Sequence, residues 1–155
     1  MTIFSASRRT EAIINADQGP LWALLTDPKV LTRHTPFVTA IEDLGNDRWS
    51  WSLAGISYPG GHFGATFVEK MTFTPESRID FAPDPHAGRQ GAGATGTYRL
   101  KPHESCTHLL IDLTVTADLP APRAARHLIE PAMRAVIALM WDAFAKGLIS
   151  ELTPN

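Results

Sequence analysis

The sequence holds a single cysteine, Cys106, so no internal disulfide framework is available and a reducing, cytoplasmic setting is expected. Charge is scarce: Asp, Glu, Lys and Arg make up 19% of the chain, against a usual level of about 25%. The two signs nearly cancel, fourteen Lys and Arg against sixteen Asp and Glu for a net charge of -2. No global basic field therefore points to nucleic acid or an acidic membrane surface, and neither is expected as a partner. Long hydrophobic runs are missing as well. The longest, residues 135–141, stops at Asp142, far short of the roughly 20 residues a membrane helix needs. The first 15 residues mix Arg8, Arg9 and Glu11 among short apolar stretches and carry no signal-peptide core. There is no internal repeat, low-complexity tract or linker. One domain over residues 1–155, large enough to bury a core without staples, is the expectation.

Apolar residues make up 44% of the chain, and their spacing changes twice along it. Residues 8–15 contain the β-branched pair Ile13-Ile14 and read as a strand. Asp17 offers a helix cap, and Leu21, Trp22, Leu24 and Leu25 follow at helical spacing over residues 18–26. Asp27-Pro28 ends that helix and begins a second over residues 29–34, which stops before Pro36.

From Phe37 the period becomes two. Residues 37–44 and 48–53 flank the turn Gly45-Asn46-Asp47, and the second segment, Arg48-Trp49-Ser50-Trp51-Ser52-Leu53, alternates without a fault. After Tyr58-Pro59-Gly60-Gly61 comes a long strand, or a bent pair of strands, over residues 62–74. Residues 78–81 follow, then a Pro/Gly-rich loop over 82–91, then strands over 95–100 and 107–117. About six consecutive strands joined by short turns describe an antiparallel meander.

The chain ends in a helix of roughly thirty residues, long against an average of about a dozen. Pro120 and Pro122 fall at its approach, where proline is tolerated, while Pro131 lies inside and predicts a kink or short break. An interruption there makes the earlier part a flap and leaves the later part to grip the sheet. Turning 100° per residue brings Met133, Val136, Ile137, Met140, Phe144 and Gly147 onto one face. That apolar face needs a cover, and a sheet curling around it is the natural one.

The order strand, two short helices, six strands, long helix is that of the helix-grip fold. Leu21-Trp22-Ala23-Leu24-Leu25-Thr26-Asp27-Pro28, then Leu31, Pro36-Phe37-Val38 and Ile41-Glu42, resemble the opening signature of the START/polyketide cyclase-like superfamily. Gly96-Thr97-Tyr98-Arg99-Leu100 is similar to its late glycine-led strand. The resemblance implies an α+β fold in which an antiparallel sheet of about seven strands wraps a long C-terminal helix. It also implies a cavity between the two for lipids, polyketides, isoprenoids or other large apolar molecules. Some members of that superfamily aromatise, cyclise or dehydrate what they hold; many only bind or carry it.

Several chemistry-bearing patterns have a plainer reading. Gly91-Ala-Gly93-Ala-Thr-Gly96 matches a dinucleotide fingerprint by letter, but a Pro/Gly loop precedes it and a strand follows, where a helix N-terminus is needed. Those glycines instead let a strand bend or approach another backbone closely. The six histidines, His34, His62, His86, His103, His108 and His127, have neither the spacing nor the cysteine partners of a metal site. His108 and Asp112 share a strand face that reads as solvated. No activated nucleophile is marked, at Cys106 or elsewhere, so no catalytic residue, metal or cofactor is assigned. Arg78 and Asp80 share a face as an anchoring or acid/base pair, or as a salt bridge outside the sheet. The cationic side chains Arg123, Arg126 and Arg134 stand beside Glu130 at helical spacing, which reads as a solvated face with internal pairs.

The aromatic set carries the functional expectation. Trp49, Trp51, Phe63, Phe67, Phe81 and Tyr98 are spread over several strands, with Gly64, Ala65, Ala94 and Gly96 among them and Gly147 on the facing helix. Core packing accounts for such residues one at a time. Small residues opposite large rings leave room that side chains do not fill, and Met133 and Met140 add adaptable surface. These aromatics, with Met133, Val136, Ile137, Met140 and Phe144, are the expected wall of a hydrophobic cavity, and His34 and His62 its polar edge. Glu69 falls on the Phe63 face, where a twist or bulge is expected to turn it to solvent. The chain is read as a binder or carrier of an apolar small molecule, monomeric or homodimeric. The alternatives are a cyclase/dehydratase working through a cavity His, Tyr or Asp/Arg pair, and a partner-binding, co-chaperone-like module.

Overall fold

A computed structural model describes residues 1–153. Seven strands among these residues form one antiparallel sheet in the order β1-β7-β6-β5-β4-β3-β2. They are β1 (Thr2–Ile14), β2 (Val38–Asp43), β3 (Arg48–Tyr58), β4 (Gly61–Thr74), β5 (Arg78–Pro83), β6 (Ala92–His103) and β7 (Cys106–Leu119). Two short helices, α1 (Gln18–Leu25) and α2 (Pro28–His34), follow the first strand, and the long helix α3 (Arg126–Leu152) closes the chain. This is the helix-grip architecture. Strands β2 to β7 are each paired with the next in sequence, and β1 returns to the far edge beside β7.

The first strand begins six residues earlier than the β-branched pair alone indicates. Phe4, Ala6 and Ile14 are buried while Ile3, Ser5, Ser7 and Arg9 are exposed, so the period of two runs unbroken back to Thr2. Pairing with β7 runs in register from Thr2↔Leu119 to Ile14↔Thr107, which draws out the other end of the hairpin-rich sheet. Residues 62–74 belong to one strand, β4, rather than two. Its bend is absorbed by the neighbouring β3, where the register shifts between Leu53 and Ile56 and Gly55 takes φ 78°.

Asp27 caps α2 through its side chain, which accepts the Lys29 N–H at 3.0 Å, and Pro28 occupies the first turn. Helix α3 runs unbroken past Pro131, contrary to the expected interruption. Its first turns are also fastened rather than free. Glu130 accepts the Ser5 backbone N–H at 2.8 Å, Arg126 donates to the Ile3 carbonyl at 3.3 Å, and Ile129 is fully buried. The flap reading of that segment is therefore withdrawn. Arg126 and Glu130 lie 3.6 Å apart, as helical spacing indicated, and the solvent-facing pair also reaches the open edge of β1. That occupies backbone groups an edge strand otherwise offers to another chain.

Two apolar clusters fill the interior. The larger joins α1, α2 and the C-terminal half of α3 to the concave face of the sheet, through Leu21, Leu25, Leu31, Trp49, Ile79, Leu109, Phe144 and Leu148. The smaller lies at the other end, where Phe4, Ala117, Leu119 and Ile129 meet. Between them the packing opens.

Candidate functional site

A cavity of about 160 Å³ lies between the concave face of the sheet and α3, with Leu25 of α1 and Leu31 and Thr35 at the end of α2 along one side. Period-two alternation aims Trp49, Trp51 and Leu53 of β3, and Phe67, Glu69 and Met71 of β4, at this space. Helical spacing brings Ile137, Met140, Trp141 and Phe144 of α3 over it. The walls are almost wholly apolar, and aromatic rings pack edge to face within them: Phe81 and Tyr98 have centroids 5.4 Å apart at 80°.

Of the residues expected to form the wall, Trp49, Trp51, Phe67, Phe81, Tyr98, Ile137, Met140 and Phe144 surround this one cavity. Phe63, Met133, Val136, His34 and His62 do not. Phe63 has the inward parity of Phe67, but β4 is long enough to carry it past the cavity, and with Met133 it packs onto the smaller cluster. Val136 is half-buried on α3 and stands outside the lining. His62 is exposed beside Ser57, 3.2 Å from its hydroxyl.

His34 is also no cavity group. Its ring lies against Gly147 of α3, where a side chain would otherwise sit, and its Nε2 donates to Glu151 at 2.8 Å. Arg33 pairs with the same carboxylate, and the hydrogen bond from His34, with Arg33 beside it, holds Glu151 below the usual carboxylate range. These three side chains tie α2 to the end of α3 and so fix the helical side of the cavity.

Glu69 overturns its expected position. It is 2% exposed, with its carboxyl in the cavity. The cause lies in the sheet. Strand β5 ends at Pro83, and its pairing with β6 runs only from Arg78↔Arg99 to Phe81↔Gly96. Beyond that point Ala94 has no ladder partner on β5, and Glu69 reaches across from β4 to accept its N–H at 2.8 Å. One carboxyl oxygen is thereby satisfied. The other, Oε2, is buried with no hydrogen-bond partner among the described residues. Burial pushes the Glu69 carboxyl up to about 8, against the opposite pull of the Ala94 N–H, so the group is largely protonated at neutral pH. Its Oε2 is then an O–H donor without an acceptor.

Two more donors share this condition. Arg8, on the same inward parity of β1 as Phe4 and Ala6, lines the cavity with its Nε buried and unpartnered among the described residues. The indole Nε1 of Trp51 is likewise buried and unpartnered. Tyr98 adds a phenol in the same wall, pushed up to about 12 by burial and so protonated. Each of these buried donors costs about 1–3 kcal/mol until an acceptor reaches it.

Other patterns resolve as structural. Arg78 donates to both oxygens of Asp80, at 3.0 and 2.9 Å, on the outer face of the sheet, where Thr97 also bonds Asp80. His108 pairs with Glu11 at 3.0 Å and Asp112 with Arg9 at 3.0 Å, all on the outer surface of the β1–β7 strand pair. Among the described residues no cluster of His, Cys, Asp or Glu has the arrangement of a metal site. Gly96 falls within β6, and a Cβ there would strike the Asp112 carbonyl and the Phe81 ring, so the glycine permits close strand approach. Among these residues no helix is long and apolar enough to cross a membrane.

No protein-family model matches the sequence, and no curated protein does. Solved structures do match, over nearly the whole chain. A conserved protein from Geobacillus kaustophilus superposes with a TM-score of 0.72 at 17% identity, covering 94% of this chain and 93% of its own. A START superfamily protein from Mycobacterium smegmatis gives 0.67 at 15% identity, covering 94% and 96%. The aromatase/cyclase Zhui from Streptomyces sp. R1128 gives 0.68 at 12% identity, covering 95% and 93%. The fold is START/polyketide cyclase-like, and at these identities the likeness extends to the fold alone.

Proposed function

We propose that this chain binds an apolar small molecule in the cavity between its sheet and α3, as a carrier or sensor. The observation that carries the reading is the cavity itself. Protein interiors close-pack, and a void of about 160 Å³ lined by aromatic and aliphatic side chains forfeits contacts that a ligand restores. The solved relatives include a START superfamily protein and an aromatase/cyclase, which accords with a ligand in this place. Protein purified and then denatured in solvent should release a stoichiometric small molecule detectable by mass spectrometry. An empty extract, together with no binding across a panel of lipids, polyketides and isoprenoids, rejects the reading.

A second reading is favoured by Glu69. A protonated carboxyl with a free edge in an apolar chamber is chemically suited to give a proton to a bound molecule, as a cyclase or dehydratase requires. The acid would be this glutamate: the expected histidines and the Arg78/Asp80 pair lie outside the cavity, and the Tyr98 phenol within it, pushed up to about 12, gives up its proton less readily. Product formation from a polyketone substrate by the parent protein, lost in Glu69→Gln, separates catalysis from carriage. Unchanged turnover in that variant removes Glu69 from the chemistry.

A further inference from the structure

We infer that the cavity is built for a ligand of about one aromatic ring that carries an anionic oxygen group, with Arg8 as the anchor for that group. The inference rests on the cavity-binding reading above and names the ligand class. Size is the first argument. A cavity near 150 Å³ admits benzene, and this one measures about 160 Å³. A single ring with a small substituent fills it, while a lipid tail or a fused polyketide exceeds it. The walls suit a ring: Trp49, Trp51, Phe81 and Tyr98 offer edges and faces for stacking.

Charge is the second argument. Arg8 is half-buried and lines the cavity, its Nε is buried without a partner, and it takes part in no ion pair among the described residues. A guanidinium whose Nε is shut away from water without a partner carries a cost, and a carboxylate or phenolate brought by the ligand removes it. Glu69 does not compete for Arg8, because its bond is made to Ala94 on the β6 side and no ion pair joins the two. The Trp51 N–H adds a second orphaned donor, so the expected ligand presents acceptors and not donors to these walls.

The test uses intrinsic fluorescence, since three of the four tryptophans, Trp49, Trp51 and Trp141, line the cavity. Three probes are titrated into the full chain: 4-hydroxybenzoate, 4-methylphenol of the same ring size without the carboxylate, and decanoate. The expected result is 4-hydroxybenzoate binding at least about tenfold tighter than 4-methylphenol, the difference one charge-assisted hydrogen bond makes. Arg8→Met should bring the two within about twofold of each other, while Arg8→Lys, which keeps the charge, keeps the preference. Equal affinities in the parent, or a preference that survives Arg8→Met, overturns the anion anchor and leaves the apolar-cavity reading standing. Tighter binding of decanoate overturns the ring-sized ligand. If none of the three probes changes the fluorescence while the denatured protein still releases a small molecule, the ring-sized anionic ligand is overturned and the apolar-cavity reading stands.

Discussion

The imidazole of His34 on α2 occupies the space that a side chain at Gly147 on α3 would fill. The two helices approach closely there, and the Glu151 carboxylate holds both Arg33 and His34 against the end of α3. Gly147→Ala sets two effects against each other. Alanine favours a helix interior by about 1 kcal/mol over glycine, while overpacking costs about 1–3 kcal/mol. Because the atoms met are the ring root and Cβ of His34 and not a flexible tip, overpacking should win and the variant should lose about 1–2 kcal/mol in urea unfolding. The double variant with His34→Ala should recover part of the loss. A Gly147→Ala protein more stable than the parent shows that α2 yields freely.

Glu69 makes stability depend on pH in a direction opposite to most carboxylates. Its folded-state value is raised from 4.5 to about 8, so folding keeps a proton that the unfolded chain releases between those limits. Stability should therefore be highest below about pH 4.5 with respect to this group, fall as pH rises, and have lost its whole contribution above about pH 8. The span is on the order of 5 kcal/mol. Glu69→Gln keeps an acceptor for the Ala94 N–H and cannot ionise, so its advantage over the parent should grow from pH 5 to pH 8. Parallel stability curves for the two proteins across that interval contradict the burial of a neutral carboxyl.

Pro131 is the sixth residue of α3, beyond the first turn whose N–H groups lack partners anyway. It withholds the donor that the His127 carbonyl would receive, yet the helix continues. Tertiary anchoring of the preceding turn, through Ile129 and the Glu130–Ser5 bond, is the force that holds it in place. Pro131→Ala should raise stability by about 1–3 kcal/mol in thermal or urea unfolding, since alanine suits the helix and restores the bond. A loss of stability instead shows that the proline sets the path of the helix onto β1.

The fold was legible because its signals are periodic and redundant. Arg48 to Leu53 alternates cleanly, the helix caps fall at Asp27-Pro28, and the final helix carries a face of Ile137, Met140 and Phe144 that demands a partner. The polar part of the cavity was harder to see, for two distinct reasons. The β-branched pair alone starts the strand at Arg8, and only the full alternation through Phe4 and Ala6 gives it inward parity. Glu69 had inward parity from Phe67 and Met71, and its charge argued against that parity. What settles it is the Ala94 N–H left over where β5 stops at Pro83, a need that arises between three strands and has no local signature. His34 erred the other way: it looks like a mouth residue in sequence, and only the nearness of Gly147 in space shows it to be a wedge between helices.

Phe144 tests whether the void is a true part of the apolar interior. Its ring is 5% exposed, lines the cavity and stands 6.1 Å from that of Trp141. Phe144→Ala removes a core aromatic next to space that is already open, so the surroundings have little to collapse onto and the cost should reach about 3–5 kcal/mol. The enlarged chamber should then accept ligands the parent refuses. Decanoate, expected to bind the parent weakly, should stabilise the variant in urea unfolding, by an amount that grows with ligand concentration as linkage requires. A cost near 1 kcal/mol with no gain in decanoate binding would mean that α3 closes over the gap, and that the cavity is set by helix position more than by its lining.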